Sequence, residues 1–140
     1  MKKVFVDTNV LIYAYSEDEP EKAVVSQKII VENNSITSVQ VLNELSNVLY
    51  KKFRKSEDEV VSVILEITEL LEVVPVTLST VLKAHEVKRR YRYSYYDSLI
   101  IASALENNCE ILYTEDMQHN QKISENLHIV NPFRGESKYL

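Results

Sequence analysis

Four acidic residues carry the chemistry this sequence allows: Asp7, Glu44, Asp97 and Asp116. Asp7 ends an apolar strand in the run Lys3-Val4-Phe5-Val6-Asp7-Thr8-Asn9-Val10-Leu11-Ile12. Glu44 lies on the helix after the second strand, among Val41, Leu45 and Val48, so it borders that helix's buried stripe. Asp97 stands in the first turn of a later helix, one turn before Ile100 and Ile101, and Asp116 follows a late strand. In open α/β sheets, binding sites form beyond the carboxyl ends of strands. Carboxylates brought together there need a cation, because two of them about 5 Å apart repel by roughly 3 kcal/mol at an effective dielectric of about 20. Neither helix offers a well-spaced lysine or arginine on the same face, and a buried carboxylate without a partner is costly. An all-oxygen donor set in an open site selects Mg2+ or Mn2+ over zinc. Such an ion polarises a phosphoryl oxygen and activates water for attack on it.

Each acid also has an ordinary reading. Asp7 suits the N-cap of the helix that follows it. Asp97 suits a helix's first turn, where a negative charge complements the dipole. Glu44 fits a half-exposed position with only its stem buried. Asp116, within Thr114-Glu115-Asp116, fits a turn. The functional reading rests on convergence, since three of the four fall at strand ends or at the helix starts after them.

The elements that must position these acids alternate between strand and helix. Strands are expected at Val4–Val6, Ser35–Thr37, Val73–Val76, Glu110–Tyr113 and Leu127–Val130. Pro75 interrupts the third of these, which marks it as an edge strand. Helices are expected from Asn9 to about Tyr15, from Pro20 to about Glu32, after a Ser38 cap, after a Ser56/Glu59 capping box, from Ser79 to about Tyr91, and from Tyr95 to Glu106. Asn107-Asn108 suits a left-handed stop to the last of them. The pattern predicts an α/β fold, a three-layer α/β/α sandwich with a central parallel sheet. One domain is expected over residues 1–133, with a C-terminal tail over 134–140.

Composition narrows the function classes. At 140 residues, 45% of them hydrophobic, the chain can bury a full core. One glycine rules out the glycine-rich loops that cradle dinucleotides and nucleotide phosphates. The single cysteine, Cys109, can form neither an internal disulfide nor a zinc cluster. With no stretch of signal-peptide or membrane-spanning character, the expectation is a cytoplasmic protein. The net charge of −5 argues against a general nucleic-acid binder. The cations are nevertheless clustered, at Lys51, Lys52, Arg54 and Lys55 and again from Lys83 to Arg92.

Four segments together resemble the motifs of PIN-domain nucleases. They are Val6-Asp7-Thr8-Asn9-Val10-Leu11-Ile12-Tyr13, Thr37-Ser38-Val39-Gln40-Val41-Leu42-Asn43-Glu44-Leu45, Tyr96-Asp97-Ser98-Leu99-Ile100-Ile101-Ala102-Ser103-Ala104 and Leu112-Tyr113-Thr114-Glu115-Asp116-Met117-Gln118-His119. Order and spacing agree from Lys3 to Asn131-Pro132-Phe133. The resemblance implies a ribonuclease dependent on one or two Mg2+ or Mn2+ ions. It carries the metal-site and catalytic acids over to Asp7, Glu44, Asp97 and Asp116, and the polar support to Thr8, Asn9, Ser38 and Thr114. It implies hydrolysis that leaves 5′-phosphate and 3′-hydroxyl ends. The short chain looks most like a VapC-type toxin of a bacterial toxin–antitoxin pair, which implies a homodimer and a small antitoxin partner whose tail occupies the active-site groove. Asn120 stands where related sequences often carry glycine, and asparagine tolerates the same left-handed backbone.

Other residues leave their alternatives open. Lys88, Arg89, Arg90 and Arg92, interleaved with Tyr91 and Tyr93, read either as an RNA phosphate track with stacking rings or as a solvated helix end. Tyr13, Tyr15, Leu49 and the helix from Val60 to Leu71 read as a dimer or antitoxin surface, or as monomer core. The histidines lack metal-ligand spacing, and His119 approaches the site only through its closeness to Asp116. Two rival functions remain. One is a catalytically silent module that binds RNA or protein. The other is an aspartate-nucleophile phosphatase, which wants a second aspartate where this chain has Asn9.

Overall fold

The apolar run after Lys2 forms the central strand of the sheet. In the computed structural model, which describes residues 1–134, β1 (Lys3–Val6) buries Val4, Phe5 and Val6 completely. The chain continues through α1 (Thr8–Ala14), α2 (Pro20–Glu32), β2 (Asn34–Ser38), α3 (Val39–Lys51), α4 (Glu57–Leu70), β3 (Glu72–Val74), α5 (Leu78–Tyr91), α6 (Tyr95–Glu106), β4 (Ile111–Tyr113), β5 (Gln121–Ile123) and β6 (Leu127–Val130). The sheet order is β3-β2-β1-β4-β6-β5, and the helices flank it. α1 packs on α2 and α3, α3 packs on α4, and α5 packs on α6. The expected tail lies outside the described residues apart from Arg134.

Local chemistry explains the boundaries. Ser38, Ser56, Thr77 and Ser94 each cap a helix by accepting a hydrogen bond from a backbone N–H of its first turn. The Ser56/Glu59 capping box forms as expected. α5 starts one residue earlier than its sequence suggests because Thr77 and Thr80 make a second capping box. β3 stops at Val74, before Pro75, which has no N–H to give to a ladder. It does lie at a sheet edge. Asn108 and Asn120 both adopt the left-handed conformation, at φ 57° and 69°.

The sheet is mixed rather than wholly parallel. β5 pairs antiparallel with β6, while β1, β2, β3, β4 and β6 pair in parallel. Gln121-Lys122-Ile123 is too short and too polar to announce itself as a strand, and its place comes from pairing with the apolar β6. The topology has one switch point. From β1 the chain steps outward to β2 and β3, then returns to the opposite side of β1 to lay down β4. Crevices at such reversals are where ligands bind in open α/β sheets. Here it opens beyond Val6 and Tyr113, which lie in register.

Candidate functional site

Asp7 and Thr114 are the first residues past that paired step. The Asp7 backbone N–H donates to the Tyr113 carbonyl at 3.1 Å, which extends the β1–β4 ladder by one rung. The Asp7 side chain, 4% exposed, then accepts two hydrogen bonds. Oδ1 takes the Thr8 N–H at 2.7 Å, and Oδ2 takes the Thr114 hydroxyl at 2.8 Å. The first of these is the N-cap of α1. Asp7 is therefore both a cap and a buried acid at the crevice, and the two readings coexist.

A hydrogen-bond network ties further residues to this point. The Thr8 hydroxyl donates to Glu44 Oε2 at 2.8 Å, across 36 residues of sequence. Asn9 donates through Nδ2 to Asp116 Oδ2 at 2.9 Å and to the Thr114 hydroxyl at 3.4 Å, while its Oδ1 accepts the Glu115 N–H at 3.0 Å. The Thr114 hydroxyl also accepts the Asp116 N–H at 3.2 Å. Thr8, Asn9 and Thr114 thus hold Glu44, Asp116 and Asp7 from the start of α1 and the end of β4. Ser38 acts at one remove, since its hydroxyl caps the helix that carries Glu44. Asp97, half-buried at the start of α6, joins the group through its field rather than through a bond to it.

The electrostatics follow from burial and like charge. Burial pushes Asp7 up from 3.8 to about 7, against the pull of its bonds from Thr8 and Thr114, and the charges of Glu44 and Asp116 push the same way. Asp97 is also raised, mainly by burial, with Ser94 pulling it down and Asp116 adding repulsion. Among the described residues the ion pairs are Lys22–Glu115, Lys28–Glu32 and Lys55–Glu59, so none neutralises one of the four acids.

A hard divalent cation fits these donors in chemistry. All of them are oxygens, and an ionised carboxylate offers about four lone-pair sites, of which Asp7 spends two within the protein. Among the described residues, no three His, Cys, Asp or Glu side chains form a ready-made cage. A Mg2+ ion keeps several of its waters and needs no such cage, so direct and water-mediated contacts can be shared among Asp7, Glu44, Asp97 and Asp116.

Sequence reasoning missed the neighbouring cluster. Lys22 Nζ pairs with Glu115 Oε2 at 2.7 Å, the Tyr13 hydroxyl donates to Glu115 Oε1 at 2.7 Å, and Lys22 donates to the Tyr13 hydroxyl at 3.2 Å. Lys22 Nζ also lies 4.5 Å from the Tyr13 ring centre and 5.3 Å from that of Phe133. Burial pushes Glu115 up, but the bonds from Lys22 and Tyr13 outweigh it, so its carboxyl falls below its usual range. No local pattern links Lys22 to a partner 93 residues away.

The other candidates settle differently. Lys88, Arg89 and Arg90 are exposed in the last turn of α5, and Arg92 is exposed in the left-handed residue that ends it. The rings between them belong to the fold. Tyr91 and Tyr93 pack against the core, and their hydroxyls accept the N–H groups of Ser124 and Gln118. His119 turns toward the end of β6, where its Nδ1 accepts the Asn131 N–H at 2.9 Å.

Comparison with known proteins identifies the family and the fold. The family model described as the PIN domain matches residues 4–122. Among solved structures, VapBC2 from Rickettsia felis, bound to a DNA fragment from its promoter, superposes with a TM-score of 0.67 at 19% identity, covering 91% of this chain and 96% of that one. A toxin–antitoxin complex from Klebsiella pneumoniae gives 0.66 at 17% identity, covering 93% and 98%. The Sarcin-Ricin loop cleaving toxin VapC20 of Mycobacterium tuberculosis gives 0.64 at 19% identity, covering 81% and 89%. At these identities the likeness is one of fold. No curated protein sequence matches the chain.

Proposed function

Because the chain belongs to the PIN-domain family, we propose that it is a Mg2+- or Mn2+-dependent endoribonuclease, the toxin of a bacterial type II toxin–antitoxin pair. One observation carries the reading. A buried aspartate at the sheet's switch point is hydrogen-bonded to Thr114, which with Asn9 holds Asp116, and it feels the charges of Glu44 and Asp116, with no ion pair among the described residues to offset them. Asp7, Asp97, Asp116 and Glu44 would hold the ion. When bound, it would polarise the phosphoryl group and lower the pKa of water at the site. The chain's own part is positioning. Thr8 and Thr114 fix the two oxygens of Asp7, Thr8 also holds Glu44, and Asn9 holds Asp116. Water displaces the 3′-oxygen at phosphorus in line, leaving a 5′-phosphate and a 3′-hydroxyl. The exposed Lys88, Arg89, Arg90 and Arg92 take the RNA backbone.

The partners of this reading are RNA, a small antitoxin and a second copy of the chain, in the cytoplasm. Two adjoining clefts of about 370 and 300 Å3 meet at Tyr15, where apolar residues of α1 to α4 are rimmed by Glu17, Asp18, Lys55 and Glu66, and would give a polypeptide partner a surface. No helix among the described residues is long and apolar enough to cross a membrane. The test is RNA cleavage with Mg2+, Mn2+ or EDTA by the wild type and by Asp7→Asn and Asp97→Asn. Metal-dependent cleavage lost in both variants is the expected result. Equal cleavage by all three proteins would sink the site. RNA binding without cleavage in any metal would favour the silent-module reading instead.

A further inference from the structure

We propose that Lys22 is a positioning residue for Asp116, acting through Glu115; this rests on the reading of Asp116 as a ligand of a divalent cation. The Thr114 N–H still reaches the Val130 carbonyl of β6 at 3.0 Å and Met117 is buried in the core, but Glu115 and Asp116 lie between these anchors in the irregular segment before β5. Asp116 is exposed, so burial does not fix it either. Its position depends on what grips the loop. On one side Asn9 holds the Glu115 N–H and the Asp116 carboxylate. On the other side the Glu115 carboxylate is held at both oxygens, by Lys22 and by Tyr13, each at 2.7 Å. Tyr13 stands one turn beyond Asn9 on α1, so both grips come from one helix face. Lys22 brings α2 into the same clamp. Its ammonium is itself confined, between the Tyr13 hydroxyl and the Tyr13 and Phe133 rings, which meet edge to face at 5.0 Å. Glu115 and Asp116 are consecutive, so fixing one carboxylate limits where the next one points.

The pair's exposure, 30% and 27%, argues against a role mainly in folding stability, since partly solvated ion pairs add little. Its location argues for geometry, because residues that orient metal ligands typically alter metal affinity 10–100-fold when removed.

The sign of one substitution separates positioning from simple charge. Lys22→Met keeps a stem to cover the two rings and removes a positive charge beside an acidic site. Through-space electrostatics alone would then tighten cation binding, whereas loss of positioning weakens it. The experiment is calorimetric titration of Mn2+ into the full chain for the wild type, Lys22→Met and Lys22→Arg, with melting in EDTA and amide exchange of the metal-free proteins alongside. For Lys22→Met we expect Mn2+ affinity to fall on the order of tenfold, with the melting temperature nearly unchanged. Exchange should quicken at the Glu115 and Asp116 amides but not in β1 or β4. Lys22→Arg should recover most of the affinity. Unchanged or tighter Mn2+ binding by Lys22→Met would overturn the proposal, as would an equal loss in both variants. Failure of the wild type to bind Mn2+ would overturn the metal reading itself, and it would show before any substitution is made.

Discussion

Asp7 and Glu115 are two carboxylates joined to the same small network, and the fold treats them in opposite ways. Each accepts hydrogen bonds at both oxygens, Asp7 from Thr8 and Thr114 and Glu115 from Tyr13 and Lys22. Glu115 is given a cation, Lys22, and its carboxyl is held below its usual range despite partial burial. Asp7 is more deeply buried, has no cation paired with it among the described residues, faces two like charges and is driven up to about 7. Among the described residues a lysine is supplied to one acid and none to its neighbours, which leaves the second group to be neutralised from outside. That contrast, more than the number of acids, is the physical argument for a metal. It yields predictions of unequal size and, in one case, of opposite sign.

The largest effect is on catalysis. Asp7→Asn and Asp97→Asn should each lower Mg2+-dependent RNA cleavage by at least about a hundredfold, or about 3 kcal/mol, since even outer-sphere partners of a metal cost 10–100-fold. Single-turnover cleavage of a structured RNA at fixed Mg2+ measures this. A loss of less than tenfold for both would mean that the uncompensated acids serve something other than the reaction.

The next effect concerns the metal-free fold. Asp7 binds its proton more tightly folded, near pH 7, than unfolded, near 3.8. Between those values the native state carries the extra proton, so this group makes stability fall as pH rises through the window, and its full penalty is present above about pH 7. A shift of that size has an upper bound of about 4 kcal/mol. Asp7→Asn removes the charge but adds donors where Thr114 now donates, so about 2 kcal/mol of stabilisation at pH 8 in EDTA is expected, fading toward pH 4. Urea unfolding at both pH values checks it. A variant less stable than wild type at pH 8 would remove the case for uncompensated charge. Asp97→Asn should act in the same direction and less strongly, because Asp97 is only half-buried.

How much of this was legible in the sequence depends on how local each signal is. β1, the helix caps at Ser38 and Ser56, and the left-handed Asn108 follow from residues within a few positions of one another, and the structure bears them out. The positions of Asp7 and Asp116 at strand ends were equally readable, because a strand's apolar run shows where it stops. β5 was not. Gln121-Lys122-Ile123 has one buried residue and becomes a strand only because β6 lies beside it. The Lys22–Glu115 pair was hidden for the same reason, as α2 and the β4–β5 loop meet only after the sheet is assembled. Tyr91 and Tyr93 were open to two readings, since interleaving with arginines fits stacking platforms and core packing alike, and both rings pack on the core and hold the β5 hairpin.

The exposed cations at the end of α5 extend the comparison, because among the described residues none of them forms an ion pair with the four acids. Lys88, Arg89, Arg90 and Arg92 crowd the end of α5, just before the helix that presents Asp97. Replacing Lys88 and Arg90 by alanine should weaken RNA binding by several-fold and flatten the salt dependence by about one to two units of slope. Filter binding by a metal-free or Asp97→Asn protein at several salt concentrations separates this from cleavage. An unchanged slope would return these residues to the role of a solvated helix end.

The smallest effect is the sharpest test of the contrast, because its sign is opposite. Glu115→Gln keeps the shape of an acceptor but discards the charge that Lys22 neutralises. A compensated, partly exposed carboxylate should lose rather than gain stability when made neutral, by about 0–1 kcal/mol. Its lowered pKa predicts that the loss is present at neutral pH and disappears as pH falls through the acidic range where Glu115 itself takes up a proton. The two amide substitutions, placed on neighbouring carboxylates, should therefore move the metal-free melting temperature in opposite directions at pH 8. On acidification Asp7→Asn should converge on the wild type first, because burial raises the Asp7 carboxyl while Lys22 and Tyr13 hold that of Glu115 below its usual range. If both amides stabilise the protein, Lys22 is not offsetting Glu115, and the fold does not distinguish the two acids by charge.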